Sequence, residues 1–446
     1  MIKIPAKIPF SPVRSPIFYG WIILFAGIIG VLMSIPGQTM GVSVFTNHLI
    51  HDMSLSRVQL SFAYLIGTVT SGLLITYAGV LYDKAGARVI AIGAGLMLGA
   101  ALVYLTRVNN IAKNLSEILA FASEEKIKIV LMIIGFFGIR FFGQGVLTMV
   151  SRNMVMKWFD KRRGFANGIL GVFTAFGFSY SPIILKNIIE NRGWINTWLL
   201  LALILGAFFT VFVFFFFRDN PEDAGQIPDG KVIPEKLSGV KSTSEINFDL
   251  KDAVKSYSFW IFNLNISIVA LYFTAFTFHI ESIFNSAGFD SDTAFSIFLP
   301  GSIIAAIVHL SGSWLSDYIR LKYILIISFV GLMISLLGLL TIKNSIGITT
   351  LIIGNGFLIG TYNILIAVTW PRFYGLKNLG KISGFVMSWA VMGSALGPFL
   401  FSLSERLFSS YNPAIYFMLC LAVTLFILSF WANNQNDDKI TKKKSE

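Results

Sequence analysis

Residues 164–182 read GFANGILGVFTAFGFSYSP, and a matching pattern of small residues returns at residues 380–398 as GKISGFVMSWAVMGSALGP. Each matched position lies 216 residues after its counterpart. A shared spacing of glycine and proline over two such stretches indicates that the chain repeats one plan in its two halves. The matched residues are Gly164, Gly168, Gly177 and Pro182 in the first stretch and Gly380, Gly384, Gly393 and Pro398 in the second.

The match extends upstream, where Gly67 and Asp83 return as Gly301 and Asp317. These two pairs are 234 residues apart, which is 18 more than the spacing of the first two stretches. The first half carries an extra polar stretch of similar size at 107–126. The two halves therefore share one plan in which a single loop has been lengthened.

Hydrophobic residues make up 55% of the 446-residue chain and charged residues only 13%, a composition that soluble domains of this size do not have. Apolar windows of about 20 residues recur along its length, each long enough to cross the roughly 30 Å hydrocarbon core of a bilayer. The polar faces that buried soluble helices need are missing. The sequence therefore predicts an all-α integral membrane protein with twelve helices in two pseudo-symmetric bundles of six. The predicted helices cover about 17–46, 59–82, 88–106, 127–151, 164–189, 196–217, 257–283, 293–316, 321–342, 347–370, 382–404 and 411–432.

The predicted helices divide the chain into five segments. A stretch at 218–256, rich in Pro, Gly, Ser and charge, is a linker between a first bundle at 17–217 and a second at 257–432. Short segments at 1–16 and 433–446 flank the bundles. If both termini are cytoplasmic, 24 of the 35 lysines and arginines fall in cytoplasmic segments, against nine on the opposite side. The positive-inside rule therefore favours cytoplasmic termini.

The chain lacks the residues that several other function classes need. Cys420 is the only cysteine, which excludes an internal disulfide and a cysteine metal site. The four histidines, at positions 48, 51, 279 and 309, are too scattered for a metal cluster, and no Gly-Lys-Ser/Thr phosphate loop is present. Topology and contact with anionic lipid explain the net charge of +12 without a nucleic-acid partner. We expect no enzyme activity, no cofactor and no metal.

The loop after the second predicted helix reads GVLYDKAGAR at residues 79–88. It resembles the G-x-x-x-D-x-x-G-x-R loop of the major facilitator superfamily, and a weaker copy, SWLSDYIRLK, stands at 313–322. An aspartate at a helix end can accept hydrogen bonds from a neighbouring helix N-terminus or an arginine and so hold one conformation, although an ordinary charged turn is the alternative. The resemblance covers essentially the whole chain and implies the major facilitator fold. A conformational latch is expected at Gly79, Asp83, Gly86 and Arg88, and again at Asp317 and Arg320.

A narrower resemblance lies at WFDKRRGFANG, residues 158–168, which is similar to the signature of the monocarboxylate transporters and the oxalate:formate antiporters. YGW at 19–21 and PEDAG at 221–225 are also similar to bacterial members of that branch. This resemblance implies transport of a small organic anion. The small-residue pattern that normally follows the signature is broken by the larger residues Leu170, Val172 and Phe173.

Arg140 is the clearest candidate for a binding residue. It lies 13 residues after Ile127 and 17 before Lys157, in the middle of the fourth predicted helix. A charge at that depth costs roughly several kcal/mol unless it is paired or solvated. Gln144 follows four residues later and therefore lies on the same helical face. A guanidinium there can bind a carboxylate through two hydrogen bonds, although a structural arginine bonded to carbonyl groups is the alternative.

The second candidate, His309, comes from the family comparison. In the monocarboxylate and oxalate carriers the eighth helix has an arginine eight residues before the Asp or Asn of the next loop, and counting back from Asp317 leads to His309. A fixed positive charge is thus replaced by one that depends on pH. Ala305 stands where proton-coupled members have an aspartate, and residues 38–40 lack the lysine that some members carry. We expect His309 either to bind substrate and carry protons or to pack neutrally against a hydroxyl group.

Other polar residues on the predicted pore helices could line an uncharged cavity or make packing contacts between helices. The sequence alone does not separate these two roles. The residues are Gln38 and Thr39 in the first helix, Tyr64 and Thr68 in the second, Asn263, Asn265 and Tyr272 in the seventh, and Asn355, Tyr362 and Asn363 in the tenth.

Together these features predict a secondary active transporter that moves a small organic anion, monocarboxylate- or dicarboxylate-like, by alternating access across a bacterial inner membrane. A proton link through His309 is one option. Two alternatives stay open: an exporter of a larger polar metabolite, siderophore-like, or of a drug, and a non-transporting membrane sensor on the same scaffold. We expect a monomer whose partners are the substrate, membrane lipids and, in the proton-linked case, protons.

Overall fold

The computed structural model describes residues 4–118, 123–230 and 247–434, and in these residues helices are the only long regular elements. The helices of the first half are α1 (Tyr19–Leu32), α2 (Arg57–Ala85), α3 (Ala87–Thr106), α4 (Glu124–Ile139, continued by Arg140–Leu147 and Thr148–Trp158), α5 (163–192) and α6 (194–216). Those of the second half are α7 (Tyr257–Ser286), α8 (Phe298–Leu315), α9 (Leu321–Leu340), α10 (Ser345–Tyr374), α11 (Leu379–Phe408) and α12 (Asn412–Ser429).

The boundary between α5 and α6 lies at Gly193. The helical run Arg163–Phe216 has 54 residues, which would extend about 80 Å as one helix and exceed any bilayer core. Gly193 interrupts it with φ 75° and ψ 159°, a conformation that favours glycine. Of the eleven apolar spans long enough to cross a membrane, this one therefore contains two crossings. The predicted twelve helices are confirmed in the described part of the chain.

Local sequence sets several of the helix ends. Ser56 precedes α2 and accepts a hydrogen bond from the backbone N–H of Gln59, whose side chain accepts one from the backbone of Ser56 in return. Asn344 precedes α10 and accepts from the backbone N–H of Gly347 at 2.7 Å. Large apolar side chains such as Leu299 stand 70% exposed on the helix surfaces, as they must where the neighbour is lipid rather than water.

The described residues form two compact units, one of 4–118, 123–158 and 176–230 and one of 159–175 and 247–434. In the first unit α5 packs on α1 where a Cβ on Gly177 would collide with Leu32. In the second, α11 packs on α7 where a Cβ on Gly393 would collide with the carbonyl oxygen of Ser267. The same matched glycine therefore serves the same helix pair in both halves.

These units do not follow the predicted domain boundaries throughout, because residues 159–175 pack with the second half of the chain. The boundaries at 217 and 257 remain predictions about the repeat. The extra polar stretch of the first half contains a helix, Val108–Ile118, that buries Val108 and Ala112. Parts of the predicted terminal segments and linker, at 1–3, 231–246 and 435–446, lie outside the described residues.

Candidate functional site

The first unit has irregular backbone at two neighbouring places, just after α1 and within α4. Helix α1 ends at Leu32, and the short turn Ile35–Gly37 separates it from the next helical segment, Thr39–Ser43. We call this turn the break in α1. Proline, which lacks the N–H that a continuous helix needs, is present at position 36 of this turn. In α4 the segment Arg140–Leu147 is a π-helix, a wider turn that often occurs at functional sites.

The two irregular segments touch through glycines. A Cβ on Gly37 would collide with the carbonyl oxygen of Ile139 and lie 3.0 Å from the backbone nitrogen of Gln144. A Cβ on Gly143 would lie 2.9 Å from the Cα of Gly37. Only residues without a side chain therefore allow the break in α1 to approach α4 this closely.

Arg140 begins the π-helical segment, and its side chain reaches across to this break. Its Nη1 donates to the carbonyl oxygen of Gly37 at 3.0 Å and to Oγ1 of Thr39 at 3.3 Å. The guanidinium carbon lies 5.2 Å from the ring centroid of Tyr64, within cation–π range. Arg140 is only 1% exposed, and its Nε has no hydrogen-bond partner. Among the described acidic side chains, none forms an ion pair with it.

The structure brings several of the predicted binding residues together around Arg140. Thr39 is exposed, and its hydroxyl lies 3.1 Å from the hydroxyl of Tyr64, so this pair covers the guanidinium. Gln38 instead donates to hydroxyls of the packing interface, Ser34 at 2.9 Å and Thr148 at 3.1 Å. Gln144 is half-buried, and its Oε1 has no hydrogen-bond partner.

His309 lies in the second unit, where it is 3% exposed. Its Nε2 is 3.0 Å from the carbonyl oxygen of Asn167 on α5, and its Nδ1 is 3.3 Å from the carbonyl oxygen of Gly360 on α10. Both ring nitrogens therefore face backbone acceptors. A substrate would have to displace one of these contacts before it could bind the ring.

Asp317 caps the start of α5 in the same unit. Its Oδ1 accepts from the backbone N–H of Gly164 at 2.9 Å and its Oδ2 from that of Phe165 at 3.2 Å. The negative carboxylate lies at the positive end of the helix dipole, which stabilises the contact. Nearby, Arg372 donates to the carbonyl oxygens of Ser316 and Ile319. Asp317 therefore caps the N-terminus of α5 in this structure, and its role as a latch stays a prediction.

The remaining polar candidates of the second half are largely enclosed. The carbonyl oxygen Oδ1 of Asn355 accepts from Tyr272 and from Ser335, each at 3.1 Å, and Oδ1 of Asn265 accepts from Ser328 at 3.2 Å. Because Ser328 and Ser335 belong to α9, these side chains make helix contacts, and the packing alternative fits them. Tyr362 and Asn363 are half-buried on α10.

The structure also places the residues of the loop at 79–88. Gly79 and Asp83 belong to the last turns of α2, Arg88 is buried in the first turn of α3, and Arg320 precedes α9. Gly86, with φ 85°, separates α2 from α3.

Asp219, three residues after the end of α6, was not singled out from the sequence. A Cβ on Gly86 would collide with its carboxylate, and its Oδ1 accepts from the backbone N–H of Arg88 at 3.1 Å. Burial raises the pKa of Asp219, although this backbone hydrogen bond opposes the shift. A carboxylate within three residues of the end of an apolar helix was the signal that could have found it.

The sequence also did not reveal the partners of the two buried groups, Arg140 and His309. Pro36 and Gly37 signal the break in α1, and the glycines at 164, 168 and 171 signal a close helix contact, but nothing in the pattern says which helix lies opposite.

Comparisons with known proteins agree with this architecture. The family profile of the Major Facilitator Superfamily matches residues 24–398. A double-tryptophan mutant of XylE superposes with a TM-score of 0.64 at 14% identity, covering 95% of this chain and 98% of that one. FucP in the outward conformation gives a TM-score of 0.64 at 14% identity, covering 94% and 100%. The proton:xylose symporter XylE bound to 6-bromo-6-deoxy-D-glucose gives 0.60 at 15% identity, covering 94% and 98%. No curated protein sequence matches the chain.

Proposed function

This chain belongs to the major facilitator superfamily, and from that premise we propose that it is a secondary transporter of a small organic anion, working by alternating access. The proposal includes the narrower resemblance of residues 158–168 to the monocarboxylate and oxalate:formate branch. It also includes a bacterial inner membrane as the location, with both termini on the cytoplasmic side, as the distribution of lysine and arginine favours.

The observation that carries the proposal is the environment of Arg140. It lies sixteen residues from the start of α4 and eighteen from its end, so its charge is deep in the membrane. A charge at that depth is costly and is usually paired, yet among the described residues Arg140 has only neutral partners. A carboxylate would supply the missing negative charge and could accept two hydrogen bonds from the guanidinium.

The residues that cover Arg140 suggest how an anion would reach it. Thr39 and Tyr64 share a hydrogen bond above the guanidinium, and Thr39 also accepts from Nη1. An anion entering here would compete with Thr39 and with the carbonyl oxygen of Gly37 for the same donor. We propose that binding loosens the contact between the break in α1 and the π-helical segment of α4, which links occupancy of the site to helix movement.

The proton link stays part of the proposal, with His309 as the carrier. Its contacts with two carbonyl oxygens argue against a direct ligand role in this conformation. An anion carrier that is proton-linked should show faster uptake as pH falls through the ordinary imidazole range, near about 6.5.

A ligand-stabilisation screen of the purified full-length protein tests the substrate class, because a ligand raises the apparent melting temperature by mass action. The compounds are lactate, oxalate, xylose as a neutral sugar, a siderophore-like chelator and a lipophilic cation. We expect stabilisation by a carboxylate and its loss in Arg140→Gln. Stabilisation by the chelator or the cation alone would favour the exporter alternative, and stabilisation by xylose alone would remove the anion proposal.

Flux in proteoliposomes then separates a transporter from a sensor. The carboxylate that stabilises the protein should be taken up, and uptake should be absent from liposomes that contain Arg140→Gln. Binding without any flux in the wild-type protein would favour the sensor alternative.

A further inference from the structure

The imidazole of His309 lies between two hydrogen-bond acceptors that belong to two different helices. Nε2 is 3.0 Å from the carbonyl oxygen of Asn167 on α5, and Nδ1 is 3.3 Å from the carbonyl oxygen of Gly360 on α10. All three helix segments belong to one compact unit. The contacts are shielded, because the side chain is only 3% exposed.

The chemistry of the two acceptors sets the number of protons that the ring needs. A backbone carbonyl oxygen accepts hydrogen bonds and cannot donate one. A neutral imidazole carries one N–H, so it can bond to only one of the two carbonyls and turns a lone pair toward the other. A protonated imidazole carries two N–H groups and satisfies both. The geometry around His309 is therefore complementary to the charged ring.

Glycines on both neighbouring helices make room for this arrangement. A Cβ on Gly171 of α5 would collide with Nε2 of His309. A Cβ on Gly360 of α10 would lie 2.7 Å from Cγ1 of Val308, the residue before His309. A side chain at position 171 would displace the ring of His309 itself, and one at position 360 would press on the residue before it.

Two further sets of hydrogen bonds join α5 to α8 and its following loop. Asn167, whose carbonyl faces His309, also directs its Nδ2 toward Oγ of Ser313 at 3.4 Å and toward the carbonyl oxygen of Asn363 at 3.3 Å. Closer to the start of α5, Asp317 accepts from the backbone N–H of Gly164. We call this row of contacts, from His309 through Ser313 to Asp317, the α5–α8 seam.

The charged groups on the helices that meet His309 have partners of their own. Arg163, four residues before Asn167, donates to the carbonyl oxygen of Phe159 and lies 3.5 Å from Asp160. Asp317 accepts from two backbone N–H groups, and Arg372, twelve residues after Gly360, donates to two carbonyls. Further charged side chains at this end of the three helices are Lys161, Arg162, Arg320, Lys322 and Lys377.

We propose that His309 is a proton-operated clamp that ties α5 and α10 to α8. The protonated ring holds both carbonyls, and loss of one proton releases one of them and loosens the seam. By sequence α5 belongs to the first repeat and α8 and α10 to the second, so the clamp joins residues of both repeats. The packing of these helices therefore responds to protonation of His309 even when no substrate is bound. This response does not depend on which solute the protein carries.

Thiol accessibility measures the opening of the seam in the absence of any solute. Replacing the only cysteine, Cys420→Ser, gives a cysteine-free chain, and Ser313→Cys then places one thiol at a fully buried seam position. Labelling by N-ethylmaleimide is measured in purified full-length protein across pH and divided by the labelling rate of free cysteine at the same pH. This ratio removes the direct effect of pH on thiol reactivity.

We expect the normalised rate to rise about tenfold between about pH 5.5 and 7.5, the change that loss of one charge-assisted hydrogen bond produces. His309→Gln, which carries no titratable group, should give a high rate at both pH values. His309→Arg, which keeps a permanent charge and several donors, should give a low rate at both. The two variants change the rate in opposite directions, so a general loss of folding cannot imitate the result.

His279→Gln is the matched control, because His279 is a second histidine in the same unit whose Nε2 faces the carbonyl oxygen of Pro398 at 3.0 Å. In this control the labelling of the Ser313→Cys thiol, called the seam reporter below, should keep its response to pH. A wild-type rate that does not change with pH would overturn the clamp, and so would an unchanged response in His309→Gln. None of these measurements needs the substrate, so failure of the anion proposal would leave them intact.

Discussion

Arg140 and His309 are both buried basic residues whose side-chain nitrogens contact backbone carbonyls, but the backbone around them differs. Arg140 lies where α1 is interrupted and α4 widens into a π-helix, and it reaches the carbonyl of Gly37 at the interruption. His309 lies among continuous helices and uses carbonyls inside α5 and α10. A carbonyl oxygen has two lone pairs, so a helical carbonyl can accept a second hydrogen bond without breaking the helix.

This difference indicates different tasks. Arg140 is a permanent charge held by the carbonyl of an irregular turn, which suits an arginine that exchanges its protein acceptor for a ligand. A titratable ring between two intact helices suits a group that changes how tightly those helices pack. The following predictions test this division.

The largest effect is expected from Arg140→Ala. Removing one partner of a buried charge pair typically costs about 2 to 5 kcal/mol, which is at least about 30-fold in affinity. Arg140→Lys should recover little, because an ammonium does not reproduce the two-pronged geometry. Initial uptake of the identified anion measures this, with melting temperature as the control for folding. Full uptake by a well-folded Arg140→Ala protein would remove Arg140 from the site.

Two glycine substitutions compare the regions directly. In Gly37→Ala the new methyl meets backbone, the carbonyl oxygen of Ile139, so α1 and α4 must separate. Overpacking of this kind costs about 1 to 3 kcal/mol, and we expect a lower melting temperature. In Gly171→Ala the methyl meets the side chain of His309, which can rotate away. We expect a smaller loss of stability and a seam reporter that no longer responds to pH. Equal melting temperatures together with an unchanged reporter would contradict the comparison.

Asp317→Asn should have an intermediate effect. The amide oxygen can still accept from one of the two N–H groups at the start of α5, but the charge at the positive end of the helix is lost. Such a charge contributes about 0.3 to 1 kcal/mol, or at most about fivefold in the equilibrium between seam states. Labelling of the Ser313→Cys reporter should increase at every pH while the shape of its pH profile stays the same. A changed midpoint would instead place Asp317 in the proton response.

The sequence predicted the helices well because their signal is local. Each apolar window of about 20 residues must be a helix in a bilayer, whatever surrounds it, and the repeated glycines and prolines at 164–182 and 380–398 indicated the duplicated plan. The depth of Arg140 followed from counting residues along α4. The family profile and the solved structures confirm this fold.

The site partners could not be predicted because they depend on which helices meet. The prediction of a continuous first helix at 17–46, with Pro36 and Gly37 inside it, was wrong because the helix is interrupted there. The position of this turn opposite Gly143 depends on tertiary packing. For Tyr272 and Asn355 the sequence left a cavity role and a packing role open, because a helical pattern gives a face and not the neighbour of that face. In the structure, Ser335 on α9 shares the Asn355 oxygen with Tyr272. His309 was matched to a position, whereas its two carbonyl acceptors became visible only with α5 and α10 in place.

The smallest effect is expected at Asp249, a half-buried carboxylate in the same unit as Asp317. Lys381 Nζ donates to its Oδ1 at 2.8 Å, and this hydrogen bond lowers the pKa of Asp249. A lowered pKa means that the folded state holds the proton more weakly than the unfolded state, so the stabilisation is present above about pH 4 and is lost as pH falls below it.

Because the Asp249 side chain is 39% exposed, solvent screens the pair, and Asp249→Asn should change stability by less than about 1 kcal/mol. The melting temperature of wild type and variant should therefore differ slightly at neutral pH and converge in acid. The seam reporter should keep its full response between about pH 5.5 and 7.5 in Asp249→Asn, since this carboxylate titrates well below that window. If Asp249→Asn abolished that response, surface charge rather than His309 would cause the pH sensitivity. The contrast drawn between Arg140 and His309 would then have no support.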